Sequence, residues 1–156
     1  MKGQGLFLNL ELTSDPRLLC VVRGAIEHLT EICGFSPPDC RAITRAVDEA
    51  VANVIRHAYG NRPDQWIQLT CRLAERTVDG KGVQSLEIVL LDEGAPFEKE
   101  KVKERSLDEV KPGGLGLHFI RDSMDLMEHR RVGNQNQLRL EKQVRAEKPV
   151  KACEGE

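Results

Sequence analysis

The chain has 156 residues, and its 23 Lys and Arg against 25 Asp and Glu leave a net charge of −2, so no field draws it to nucleic acid and direct nucleic-acid binding is not expected. Five cysteines, at positions 20, 33, 40, 71 and 153, form no C-x-x-C pair, which argues against a zinc site or disulfide framework and for reduced, mostly core thiols. No window approaches the ~20 apolar residues of a membrane span and the start lacks a long apolar leader, so the expectation is a single cytoplasmic domain without membrane association.

In chain order, Leu6, Leu8, Leu10 and Leu12 alternate with other residues at the period of a strand. Asp15 as cap, Pro16 at the first helical position, apolar Leu18, Val22, Ala25, Ile26, Leu29 and Ile32, and Gly34 as stop predict a helix. Ser36, Pro37, Pro38 and Asp39 form a capping-box-like start for a second helix that runs to about Gly60. "WIQLTCRL", the turn residues "TVDGKG" and the nearly continuous apolar "SLEIVLLD" read as a hairpin whose second strand is central. Glu98 to Lys111 is charged and aperiodic between Pro96 and Pro112, a mobile loop. In "GGLGLHFIRDSMDLM" the apolar Leu117, Ile120, Met124 and Met127 fall at helical spacing, which places the glycines at a helix N-terminus. A last hairpin around "HRRVGNQNQLRL" closes the sheet. This order predicts an α/β two-layer sandwich: a mixed, mainly antiparallel sheet with helices on one face.

Three short segments carry candidate chemistry. On the second helix, Ile43, Val47, Ala50, Val51, Val54 and Ala58 make one apolar face, while Arg45, Glu49, Asn53 and Arg56 line the other. Glu49 and Asn53 are therefore neighbours: an amide oxygen suits Mg2+, and a carboxylate one turn away can accept a proton from a hydroxyl. Such pairs are also routine on solvated helix surfaces. In "LLDEGAPF", Asp92 ends a buried strand and Gly94 comes two residues later. A carboxylate there can accept from an exocyclic amine and a glycine admits a flat ring, although D-x-G is also an ordinary strand-ending turn. In "PGGLGLHFI", Gly113, Gly114 and Gly116 precede a helix whose free N–H groups favour phosphate. No Walker or Rossmann glycine pattern is present.

Taken together, "DEAVANVIRHAY", "DEGAPF" and "GGLGLHFIRDSMD" resemble the N-box and the two glycine boxes of the ATP-binding fold shared by gyrase, histidine kinases and MutL. The leading strand and helix, the "HAY" after the first box and the "MD" after the last resemble more narrowly the bacterial anti-sigma factor serine kinases, over about residues 6–142. The resemblance implies a histidine kinase-like ATP-binding domain over residues 1–144, and the polar composition of residues 145–156 predicts a disordered tail. It implies ATP and Mg2+ as cofactors, Glu49 as general base towards a serine or threonine hydroxyl, and Asn53 as ligand of the Mg2+ that bridges the phosphates. Asp92 would hold the adenine amino group, Gly94 would let adenine pack closely, and Gly113, Gly114, Leu115 and Gly116 would meet the phosphates. Some members carry an Arg just before the last box; here Pro112 stands there, with Lys111 beside it as the substitute phosphate binder. Arg56, Lys101, Lys103 and Arg105 are further cations, with solvated loop charge as the ordinary reading of the last three.

The implied function is an ATP-dependent serine/threonine protein kinase that phosphorylates a STAS-domain anti-anti-sigma protein, sequesters an RNA polymerase sigma factor and works as a homodimer. Two alternatives stay open: an ATP-binding partner switch without kinase activity, and a detached histidine kinase catalytic domain. Against the second, His28 lies amid the first helix, with no preceding dimerisation helix to offer an acceptor histidine.

Overall fold

The computed structural model describes residues 5–97 and 115–145. Its first strand, β1 (Phe7–Thr13), keeps the leucine alternation: Leu8, Leu10 and Leu12 pack on the core while Phe7, Asn9 and Glu11 are exposed. Asp15 caps the next turn by accepting from the Arg17 N–H at 2.9 Å. Pro16–Leu18 is nevertheless a 3-10 turn, closed by the Leu18 N–H on the Asp15 carbonyl, and the α-helix α1 proper is Leu19–Ile32. Val22, Ile26 and Leu29 fill its inner stripe. Ile32, expected on that stripe, is 71% exposed, because the i, i+4, i+7, i+11 row continues through buried Cys33 instead. Gly34, at φ +82°, ends the helix as expected.

Helix α2 (Pro37–Asn53) starts at Ser36, whose hydroxyl accepts from the Asp39 N–H at 3.3 Å and donates to the Asp39 carboxylate at 3.0 Å. Ile43, Val47, Ala50 and Val51 are buried, as the apolar face requires. The α-helix does not run to Gly60. It ends at Asn53, and Val54–Ala58 continues as a π-helical segment, with the Tyr59 N–H bonded five residues back to the Val54 carbonyl at 3.0 Å. The wider turn sets Tyr59 in the core, where its hydroxyl donates to the Trp66 carbonyl and accepts from the Glu93 N–H. It also leaves the Ala58 carbonyl to accept from the Ala95 N–H at 2.9 Å.

β2 (Trp66–Val78) and β3 (Lys81–Asp92) run further than their apolar alternation suggests, because pairing continues to Val78 opposite Lys81. Only Asp79 and Gly80 turn, at φ +50° and +74°. Helix α3 (Leu115–Ser123) leads to β4 (Leu126–Val132) and β5 (Gln135–Gln143). The strand order is β1-β2-β3-β5-β4 and each of its pairings is antiparallel, so the mixed sheet expected from the sequence is an antiparallel one. The connection through α3 does make β4 run parallel to β3, but β5 folds back between them and removes the parallel contact. Ile67, Leu69, Leu86, Ile88, Leu90, Leu138 and Leu140 form the inner face under the helices. Cys33, Cys40 and Cys71 lie in this core, and burial lifts the Cys33 thiol to about 11 and the Cys71 thiol to about 12, leaving them unreactive. Among the described residues no helix is long and apolar enough to cross a membrane. The expected loop from Glu98 to Lys111, Cys153, and the tail beyond Arg145 lie outside the described residues.

Candidate active site

The site begins on α2. Glu49 and Asn53 share its outer face, and Arg56, from the π-helical segment, reaches back to both: its Nη2 is 3.1 Å from Glu49 Oε1 and 3.1 Å from Asn53 Oδ1. A carboxylate oxygen and an amide oxygen therefore converge on one positively charged nitrogen. That donor set is what a hard divalent cation requires from a protein that also relies on phosphate and water ligands. Among the described residues no group of three or more His, Cys, Asp or Glu is placed to hold a metal, so Mg2+ here would depend on Asn53 and on ligand oxygens.

The strand end is organised around Asp92, which is 4% exposed. Its Oδ1 accepts from Asn136 Nδ2 at 2.7 Å and from the Gly94 N–H at 2.9 Å. Burial pushes its carboxyl above the ordinary range, while Asn136, the Gly94 N–H and Arg131 pull the other way without cancelling it. Among the described residues Oδ2 accepts no hydrogen bond, so an acceptor is left for a ligand donor. This fits an exocyclic amine of the kind adenine carries.

Gly94 has a nearer neighbour than any ring. A Cβ there would stand 2.5 Å from the Ala58 carbonyl oxygen and 2.6 Å from its carbon. The glycine thus lets the end of β3 close on the π-helical segment, where the Ala95 N–H bonds to Ala58 and Tyr59 ties Glu93 to Trp66. That junction joins the Asp92 end of the site to the wall of Glu49 and Asn53.

The third segment meets the first directly. A Cβ on Gly116 would run into Glu49 Oε1 and would lie 2.7 Å from Cδ and 2.8 Å from Cγ of the same side chain. Gly116 is the second residue of α3, and its bare backbone makes room for the Glu49 carboxylate. One turn earlier on α2, the Arg45 guanidinium lies 4.6 Å from the Phe119 ring centroid and joins α2 to α3. Leu115 opens α3; Lys111, Gly113 and Gly114 lie outside the described residues. His28 is exposed and its Nδ1 is bonded to the Gly24 carbonyl of its own helix.

Two residues at this site escaped the sequence reading. Asn136 stands directly opposite Asp92 in the β3–β5 register, and Arg131 on β4 donates to Asn136 Oδ1 at 2.7 Å and to the Gly94 carbonyl at 3.1 Å. The available signal was the alternation of Asn136, Leu138 and Leu140, which puts an amide where the period asks for a buried apolar residue.

Among the described residues, the end of β3, the outer face of α2 and the start of α3 thus come together on one two-layer antiparallel fold. Residues 12–142 match the family described as the histidine kinase-like ATPase domain, and the chain belongs to that family. Serine-protein kinase RsbW of Oceanobacillus iheyensis is 25% identical over 127 residues, covering 76% of this chain and 75% of the relative. Serine/threonine-protein kinase BtrW of Bordetella bronchiseptica is 33% identical over 102 residues, covering 63% of this chain and 66% of the relative. Among solved structures, the RsbU and RsbW domains of Rv1364c from Mycobacterium tuberculosis superpose with a TM-score of 0.62 at 17% identity. The superposition takes in 88% of this chain but 32% of that one, so this chain spans about a third of its length. A chain of the SiaB-SiaC complex from Pseudomonas aeruginosa gives a TM-score of 0.55 at 15% identity, with 90% and 92% covered. These structural likenesses establish the fold.

Proposed function

We propose that the chain is an ATP-dependent serine/threonine protein kinase that acts as an anti-sigma factor. It phosphorylates a STAS-domain anti-anti-sigma protein and otherwise sequesters a sigma factor. The observation that carries the catalytic part is the convergence of Glu49 Oε1 and Asn53 Oδ1 on one cationic nitrogen, with Gly116 of α3 against the same carboxylate. Bound Mg2+ and ATP would supply the γ-phosphoryl group and the charge that neutralises it. The protein's share is then positioning: Asn53 offers an oxygen to the metal, Asp92 an acceptor to the adenine amine, and Glu49 takes the proton of the incoming hydroxyl. Arg56 is the cation already at hand: it donates to Oε1, and the second oxygen of the Glu49 carboxylate is left to accept the proton. Lys111, Gly113 and Gly114 keep their assignment to the phosphates on the resemblance, as do cytoplasmic location and the homodimer. The names of the relatives, serine-protein and serine/threonine-protein kinases, support the choice of a hydroxyl acceptor.

The test is transfer of labelled γ-phosphate to a purified STAS-domain protein. Glu49→Gln is expected to bind Mg2+ and ATP as wild type does by calorimetry while losing transfer by about 10²–10⁴-fold. Equal transfer by the variant would remove Glu49 as the base. An acid-labile product in place of acid-stable phosphoserine or phosphothreonine would move the assignment to a histidine acceptor.

A further inference from the structure

The amide of Asn136 is held in one orientation by its neighbours. Its oxygen faces Arg131 Nη1 at 2.7 Å, and its nitrogen donates to Asp92 Oδ1 at 2.7 Å and to the Ala95 carbonyl at 2.9 Å. Turned over, the amide would set its NH2 against a guanidinium N–H and its oxygen against a carboxylate and a carbonyl. Arg131 also holds the Gly94 carbonyl at 3.1 Å, so one guanidinium fixes both the amide and the backbone that supplies the second donor to Asp92. Both donors fall on Oδ1, and the carboxylate cannot rotate without giving up two hydrogen bonds in a buried place. Neither the proposed phosphoryl transfer nor the binding of Mg2+ requires Arg131, which is itself exposed.

From this geometry we infer that Arg131 and Asn136 are positioning residues that lock Asp92 with one acceptor oxygen presented, and so make the site select a purine with an amino group at position 6. The inference rests on the proposed nucleotide site. A 6-oxo purine offers a carbonyl at that position and an N–H at ring position 1, so it suits a carboxylate free to shift. A locked carboxylate denies it that adjustment. Burial drives the Asp92 carboxyl towards its neutral form, and the same two residues act against this.

The test compares ATP with inosine triphosphate, which replaces the 6-amino group by a carbonyl, by calorimetry on the full chain with excess Mg2+. Wild type is expected to prefer ATP. Asn136→Leu is expected to narrow that preference by about tenfold or more, and Arg131→Gln by about threefold. Because Arg131 is exposed, its variant carries the test even where the buried substitution fails to fold. Variants that weaken both nucleotides by one common factor have a structural role only and overturn the inference, as does a wild type that binds the two equally. If wild type binds ATP with preference and both variants keep its ratio, the positioning role fails alone; if it binds neither nucleotide, the nucleotide site fails and the positioning role falls with it.

Discussion

Asp92 is finished by the protein on one oxygen and left open on the other. Because Asn136 Nδ2 and the Gly94 N–H both donate to Oδ1, an amide at this position can keep both bonds with its own oxygen and place NH2 where Oδ2 stood. Asp92→Asn is therefore expected to fold with unchanged or slightly raised stability, since it removes a buried charge whose carboxyl burial already disfavours. The same variant presents a donor to a donor and should weaken ATP binding by about 100-fold or more. Thermal unfolding and calorimetry on one preparation separate the two effects, and a variant that unfolds earlier while still binding ATP would contradict both. Glu49 has a different local logic. Its Oε1 is shared between Arg56 and the space that Gly116 leaves, so its position depends on two segments of chain as well as on its own helix.

At the scale of elements, the two glycines that the structure describes in the site do different jobs, and alanine at each should separate them. At Gly116 the added Cβ meets a side chain, Glu49, which can rotate aside. Gly116→Ala is expected to cost little stability, under ~1 kcal/mol, and to reduce phosphoryl transfer by at least about tenfold through displacement of the carboxylate. At Gly94 the added Cβ meets the Ala58 backbone, which cannot yield without moving the π-helical segment. Gly94→Ala should therefore cost about 1–3 kcal/mol, read as a lowered urea midpoint. The reverse ranking would mean that α3 approaches α2 differently. The π-helical segment is central here: its wider turn carries Tyr59 into the core and leaves the Ala58 carbonyl facing the end of β3.

For the molecule as a whole, the helices cover one face of the sheet and an ion-pair network crosses the other. Glu87 on β3 accepts from Arg139 Nε at 2.7 Å and from Arg72 Nη2 at 3.0 Å, while Arg139 also reaches Glu128 and Glu141. Burial alone would raise the Glu87 carboxyl, but Arg139 and then Arg72 more than offset it and hold it below its ordinary range. A carboxyl so depressed stabilises the fold above the unfolded-state value and loses that contribution as pH falls through the folded one. For Glu87 the loss lies below about pH 4.5. Glu87→Gln is accordingly expected to cost about 1 kcal/mol at pH 7, and the gap between its urea midpoint and that of wild type should close as the pH falls below that point. A constant gap between the two across that range would assign the cost to packing.

The local features were legible in the sequence because local forces make them. Ser36 and Asp39 cap α2, the leucines of β1 alternate, Asp79 and Gly80 turn a hairpin, and Glu49 and Asn53 lie one turn apart whatever the rest of the chain does. The three segments pointed to an ATP-binding fold, and the order of helices and strands along the chain was enough to expect a sheet with helices on one face. What the tertiary structure decided are the contacts that no period encodes. Asn136 reaches Asp92 across 44 residues of sequence and Arg131 reaches Gly94 across 37. Gly116 meets Glu49 only when α3 docks on α2, and the break of α2 into a π-helical turn answers to Tyr59, Ala58 and the end of β3. Capping and alternation act within a turn or a strand pair, whereas a buried carboxylate finds its partners wherever the folded chain brings a donor, and it must have them because desolvation leaves it no water.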